Sequence, residues 1–189
     1  MGRWEPNTRE RLAEAALELY GERGYEQTTV AEIAGRAGLT ERTFFRHYGD
    51  KREVLFAGSG ELEDLFARAV AGAPESVAPL DAVAAGLDAV GASFAGRRDF
   101  ARARQAVIMA NAELRERELV KLAAISAALA RTLRGRGVPE PAASLAAEAG
   151  VAVFKVGFER WIGPGEERAM PPLLRESLAE LKAVAAQGS

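Results

Sequence analysis

An all-α fold is what this chain of 189 residues predicts, and three observations carry it. Apolar residues recur three and four positions apart almost throughout. Alternating β-branched runs of the kind that form strands are nearly missing. Glycine and proline gather at the breaks between the periodic stretches. Hydrophobic residues make up 48% of the chain, enough for one or two small domains with a real core.

Asn7 with Glu10 three positions on reads as an N-cap and its acidic partner, Leu12, Ala16, Leu19 and Tyr20 form one apolar face, and Gly24 suits a C-terminal cap. A first helix is therefore expected at 8–23. Thr29-Val30-Ala31-Glu32 is a capping box: the threonine oxygen takes the amide proton of Glu32, and the Glu32 carboxylate reaches back to the Thr29 amide. The second helix that it opens runs no further than Ala37, since Gly38 readily adopts the left-handed conformation that stops a helix. Thr40 then caps the third helix, which Gly49 ends in the manner of Gly38. Asp50 with Glu53 three residues later opens a long fourth helix reaching Ala71.

Beyond Gly72-Ala73-Pro74 the periodicity places helices at about 77–95, 98–110, 113–134, 141–162 and 171–186. Gly96, the Gly135–Pro141 stretch and Gly163-Pro164-Gly165 separate the later ones.

Composition removes whole function classes. There is no cysteine and one histidine, His47, so disulfide frameworks, thiol chemistry and multi-histidine metal sites are excluded, and a Ser-His-Asp triad has one possible centre. No catalytic residue, metal or cofactor is expected. No run of 18 apolar residues occurs and the N-terminus lacks a signal-peptide core, so the expectation is a cytoplasmic protein without a membrane partner. With 21 Arg to 4 Lys and 39 Ala, GC-rich coding and a bacterial source are indicated.

The net charge of −2 gives no hint of nucleic acid, but its distribution does. From Arg36 to Arg52 there are five basic residues (Arg36, Arg42, Arg46, Lys51, Arg52) to two acidic ones (Glu41, Asp50). A short helix, a glycine turn and a second short helix is the arrangement that sets the second helix into a DNA major groove. Ile33, Ala34, Ala37, Leu39 and Phe44 stand where two steeply crossing helices must touch.

The segment from Thr28 to Ala57, TTVAEIAGRAGLTERTFFRHYGDKREVLFA, resembles the DNA-binding region of the TetR/AcrR family of bacterial transcriptional regulators. The resemblance rests on the Thr-Val-Ala-Glu-Ile-Ala opening, the Ala37-Gly38 turn, Thr43, the aromatic Phe45, His47-Tyr48 and Lys51 followed by Leu55. It covers roughly residues 8–57, about a quarter of the chain; the remainder is similar in length and helical order only. It implies a helix-turn-helix DNA-binding domain over 1–50 and a larger helical ligand-binding and dimerisation domain over 51–189. It departs from the family where Phe45 replaces a tyrosine whose hydroxyl reaches phosphate.

On this reading Thr40, Glu41, Arg42 and Thr43 begin the recognition helix and reach base edges, with Arg42 suited to donate twice to guanine. Phe45 rests on the DNA backbone or a thymine methyl. Thr29 and Lys51 approach phosphates on either side of the groove, and His47 is where the family places a phosphate donor. Arg36 and Arg46 are candidate backbone contacts or solvated helix residues.

In the second part, the eighth helix has one apolar arc of Leu145, Ala149, Ala152, Val153 and Val156 and another of Val151, Phe154, Phe158 and Trp161. A polar seam and the pair Gly150 and Gly157 separate the arcs. Two apolar sides need two partners, one of which a second subunit can supply, with the ninth helix (Leu174, Leu178, Leu181, Ala185) completing a four-helix homodimer interface through helices 8 and 9. If helices 6 and 7 are continuous, Phe100, Arg104, Val107, Asn111 and Leu114 share a face. Arg104 with Phe66, Phe100, Met109, Phe154, Phe158 and Trp161 are candidate pocket residues for an unknown small-molecule effector. The same residues also read as ordinary core.

The resulting expectation is a regulator, most simply a repressor, that binds a palindromic double-stranded DNA operator as a homodimer. An α-helical enzyme fares poorly, because Gly58-Ser59-Gly60 lacks the Lys-Ser/Thr ending of a phosphate loop and no dinucleotide fingerprint follows a strand. A helical protein-interaction scaffold leaves the basic residues and caps of Arg36–Arg52 unexplained.

Overall fold

The computed structural model describes residues 8–186, so the expected cap at Asn7 lies outside the described residues. Among them there are nine α-helices and no strand: α1 (Thr8–Arg23), α2 (Val30–Arg36), α3 (Glu41–His47), α4 (Ser59–Ala71), α5 (Pro79–Ser93), α6 (Arg98–Ala110), α7 (Ala112–Gly135), α8 (Ala142–Ile162) and α9 (Met170–Ala186). A 3₁₀ turn at Glu53–Phe56 precedes α4. The chain divides into two compact units, one of residues up to Ala57 with Asp99–Glu118, the other of Gly58–Arg98 with the residues from Leu119 onward.

The first unit is built on α1, whose Leu12, Ala16, Leu19 and Tyr20 are buried. Ile33 and Ala34 from α2, Phe44 from α3, Val54, Leu55 and Phe56 from the 3₁₀ turn, and Ile108 and Leu114 join them in one core. The expected face shared by helices 6 and 7 is interrupted at Asn111, whose side-chain amide donates to the Val107 carbonyl at 2.7 Å.

Two expectations in this unit are corrected. Helix α3 does not end on a left-handed glycine: Tyr48 turns extended at φ −137°, and Gly49 is not among the glycines with positive φ. Nor does a long helix open at residue 51. Asp50 is a cap, accepting the amides of Arg52 at 2.8 Å and Glu53 at 3.0 Å, but it caps only the 3₁₀ turn. Gly58 then adopts φ +83°, a conformation that expels a residue from a right-handed helix, and α4 starts afresh at Ser59.

In the second unit α4 lies against α5, and α5, α8 and α9 pack on one another. Glycines set the closest approaches. A Cβ on Gly86 would stand 2.3 Å from the Phe66 ring, one on Gly150 2.7 Å from Val83, and one on Gly157 2.5 Å from Leu174. A helix of a second subunit therefore has no room against Gly150 and Gly157, because α5 and α9 of the same chain already fill those places. The leucine face of α9 turns inward with them: Leu174 and Leu178 are buried.

Gly86→Ala forces its methyl into Phe66 and Val70 and is expected to cost about 1–3 kcal/mol through overpacking, read as a lowered midpoint in thermal denaturation. Gly21→Ala, in α1 with nothing within 4 Å, is expected to raise the midpoint, since alanine is favoured over glycine within a helix by about 0.5–1 kcal/mol. Equal midpoints for the two variants would refute the close-approach account.

Candidate nucleic-acid interface

The site grows from two caps and a turn. Thr29 Oγ1 accepts the Glu32 amide at 3.3 Å and Glu32 Oε2 accepts the Thr29 amide at 2.9 Å, closing the capping box. The Thr29 amide, its hydroxyl and Arg23 together hold the Glu32 carboxyl below the usual carboxylate range. At the other end of α2, Gly38 takes φ +65°, and the amides of Gly38 and Leu39 return to Gly35 and Ala34, so the chain reverses in three residues. Thr40 Oγ1 accepts the Thr43 amide at 3.2 Å and starts α3.

Phe44 anchors α3 from within: it is fully buried and meets Phe45 edge-on at 5.5 Å. The opposite face carries Glu41, Arg42, Phe45 and Arg46, all exposed, with Thr43 half-buried at its edge. Phe45 is 55% exposed, so apart from its edge-on contact with Phe44 its ring stands open to solvent. Neither Arg42 nor Arg46 has an ion pair among the described residues, leaving two uncompensated charges on one short helix.

The other basic residues named from the sequence are differently placed. Arg36 holds Glu22 through both guanidinium nitrogens, at 2.9 and 2.8 Å, and Glu18 at 3.1 Å. These contacts tie α2 to α1 and raise the Arg36 pKa above its ordinary value, so its charge is already compensated. Arg52 is bound by Asp50 and Glu113. The Lys51 ammonium faces inward, donating to the carbonyls of Tyr25, Glu26 and Thr28 at 2.9, 3.2 and 3.1 Å. His47 is half-buried and its Nε2 is enclosed without a hydrogen-bond partner. Burial, then the charges of Arg46 and Arg9, lower its pKa from the ordinary histidine value.

Arg11 carries no sequence signal of a role here, yet its guanidinium reaches the Ala37 carbonyl at 2.5 Å and fastens the end of α2 beside the turn. Its acceptor lies 26 residues away, beyond the reach of any local pattern.

The candidate effector residues fall into both units. Phe100, Arg104 and Met109 belong to the first. Arg104 donates to the Leu55 carbonyl at 2.6 Å and to Glu118 at 3.0 Å and lies over the Phe56 ring. Its burial lowers its pKa, and its Nε and one terminal nitrogen are engaged by the protein. Met109 is exposed. In the second unit Phe66 and Phe154 line a narrow cleft with Leu62, Val90, Leu122, Ile125 and Val151, an apolar lining closed tightly enough to leave no room for water. Phe158 and Trp161 instead form an aromatic cluster with Phe94.

No described helix is long and apolar enough to cross a membrane. Comparison with known proteins matches residues 12–57 to the family described as bacterial regulatory proteins, tetR family. The chain is 39% identical over 83 residues to the HTH-type transcriptional regulator TcmR of Streptomyces glaucescens, over 44% of this chain and 37% of TcmR. It is 33% identical over 54 residues to the protein named MftR of Mycobacterium tuberculosis, over 29% and 27% of the two chains. The chain thus spans well under half the length of these curated relatives. Among solved structures, the transcriptional regulator FadR of Bacillus subtilis in complex with stearoyl-CoA superimposes with a TM-score of 0.63 at 18% identity, covering 90% of this chain and 95% of that one. A transcriptional regulator of Rhodococcus sp. Rha1 does so with a TM-score of 0.57 at 25% identity, covering 96% and 97%.

Proposed function

We propose, from the premise that the chain belongs to the tetR family of bacterial regulatory proteins, that it is a ligand-responsive repressor reading a palindromic operator as a homodimer. One observation carries the reading: α3, capped by Thr40 and fixed on α2 by the Gly38 turn, presents Arg42, Phe45 and Arg46 together on an exposed face. In this account residues 1–50 hold the DNA-reading part and 51–189 the effector and dimer part. Thr40, Glu41, Arg42 and Thr43 meet base edges, Phe45 packs on a thymine methyl or the sugar-phosphate chain, and Arg46, His47 and Thr29 meet phosphates.

Neutralising several phosphates makes affinity fall steeply and log-linearly with salt. Titration of a duplex with the purified protein across a salt series tests this, and binding that ignores salt would overturn it.

His47 adds a pH dependence. In the free protein its pKa is lowered; a phosphate beside the imidazole raises it, so the complex binds a proton that the free chain releases. Affinity is therefore expected to rise as pH falls from above the bound-state pKa to below the lowered free-state one. The gain should vanish in His47→Gln; matching pH profiles would refute the contact.

The dimer surface is the α8 stripe of Leu145, Ala149, Ala152 and Val156, spaced four, three and four residues apart. Leu145 is 66% and Val156 51% exposed, although the other face of α8, with Ala146, Ala147, Val153, Phe158 and Trp161, is buried. The effector site is the cleft of Leu62, Phe66, Val90 and Phe154, whose walls suit a hydrocarbon but which must open to admit one, since it is closed even to water in this state. The Bacillus subtilis FadR of similar fold is solved with stearoyl-CoA, a ligand with such a chain. To release the operator the effector must prefer the DNA-incompetent state by several kcal/mol.

A further inference from the structure

The ammonium of Lys51 has three protons, and three carbonyl oxygens take them. Those of Tyr25, Glu26 and Thr28 converge on Nζ, which also lies 4.4 Å from the centre of the Tyr25 ring. The residue is gripped from the other side as well, since its own carbonyl accepts the Tyr20 hydroxyl at 2.7 Å. Tyr20 meets Tyr25 edge-on at 5.3 Å, and the buried Thr28 hydroxyl donates to the Gly24 carbonyl at 2.9 Å. The segment between α1 and α2 is thus drawn around one cation, and its next residue is Thr29, the cap of α2.

We infer that Lys51 is a positioning residue: it acts on DNA through the Tyr25–Thr29 segment, by fixing where Thr29 and the first turn of α2 stand, and not by meeting a phosphate. This rests on the DNA-reading proposal and assigns one of its basic residues a different part. A lysine that served as a phosphate donor would have to surrender three charge-assisted hydrogen bonds, two of them to part-buried carbonyls, which is costly. Arginine cannot take over this role. A planar guanidinium spreads its donors in a fixed fork, whereas the three carbonyls converge on a point.

The test compares wild type, Lys51→Arg and Lys51→Met on the duplex that wild type enriches from a random pool, over a salt series. Both variants should lose affinity by a similar factor, on the order of tenfold for one charge-assisted hydrogen-bonding centre, with the salt slope unchanged. On a Thr29→Val background the additional loss from Lys51→Met should largely disappear, because both changes act on the same contact. Amide hydrogen exchange of residues 26–29 in the free chain should speed up in both variants. The inference is overturned if Lys51→Arg binds as wild type while Lys51→Met lowers the slope by about 0.9, the signature of one lost phosphate contact, or if exchange of the segment is unaltered. Failure of the DNA-reading proposal looks different: wild type itself then enriches no duplex, and the inference falls with it even where the exchange result holds.

Discussion

Replacing Arg42 with alanine is expected to lower affinity for the operator by about ten- to a hundredfold, the factor corresponding to the roughly 1–3 kcal/mol of a bidentate arginine–guanine pair. The change should fall on one base-pair position in each half-site, where wild type discriminates and the variant does not. Arg42 sits in the first turn of α3, is exposed, and has no ion pair among the described residues, so binding breaks no contact within the protein to free it. Arg46→Ala separates base reading from charge: it should weaken all sequences alike and reduce the salt slope by about 0.9. Binding curves on the operator and on variants of it decide, and an Arg42→Ala protein with unchanged preference at every position would remove Arg42 from the reading face.

Like charges on the α8 stripe are expected to have a still larger effect. The double variant Leu145→Glu, Val156→Glu places them at both ends of the stripe proposed for the two-fold contact, while both positions are already open to solvent in the protomer. The fold should therefore persist, with helical content and thermal midpoint near wild type. Sedimentation should find a protomer of 20.1 kDa where wild type gives twice that mass. Operator affinity should fall by about 10²–10⁴, because the second half-site is no longer bound intramolecularly. A variant that stays dimeric would exclude the stripe as the interface.

The helix-turn-helix was legible residue by residue because its instructions are local. The Thr29–Glu32 capping box, the left-handed Gly38 and the Thr40 cap each act within three residues, and each stands where the sequence placed it. The start of α4 departs from the expected one for a related reason. Asp50 is a genuine cap, but the turn it opens dissolves at Gly58, and the local signal for that break is the Gly58-Ser59-Gly60 triplet. The fate of charge was not legible at all. Arg36 is held by carboxylates 14 and 18 residues earlier, and Lys51 by carbonyls 23 to 26 residues earlier, distances over which periodicity is silent. In α8 the two apolar arcs were readable, but not which of them the chain would cover itself. That depended on Val83 and Leu174 occupying the spaces above Gly150 and Gly157.

Selection of binding sites from a random duplex pool tests the central claim most directly. The account predicts an inverted repeat whose half-sites lie about 34–36 Å apart centre to centre, or a multiple of it, as two α3 helices in successive major grooves require. An enriched site without two-fold symmetry, or no enrichment at low salt, would contradict it.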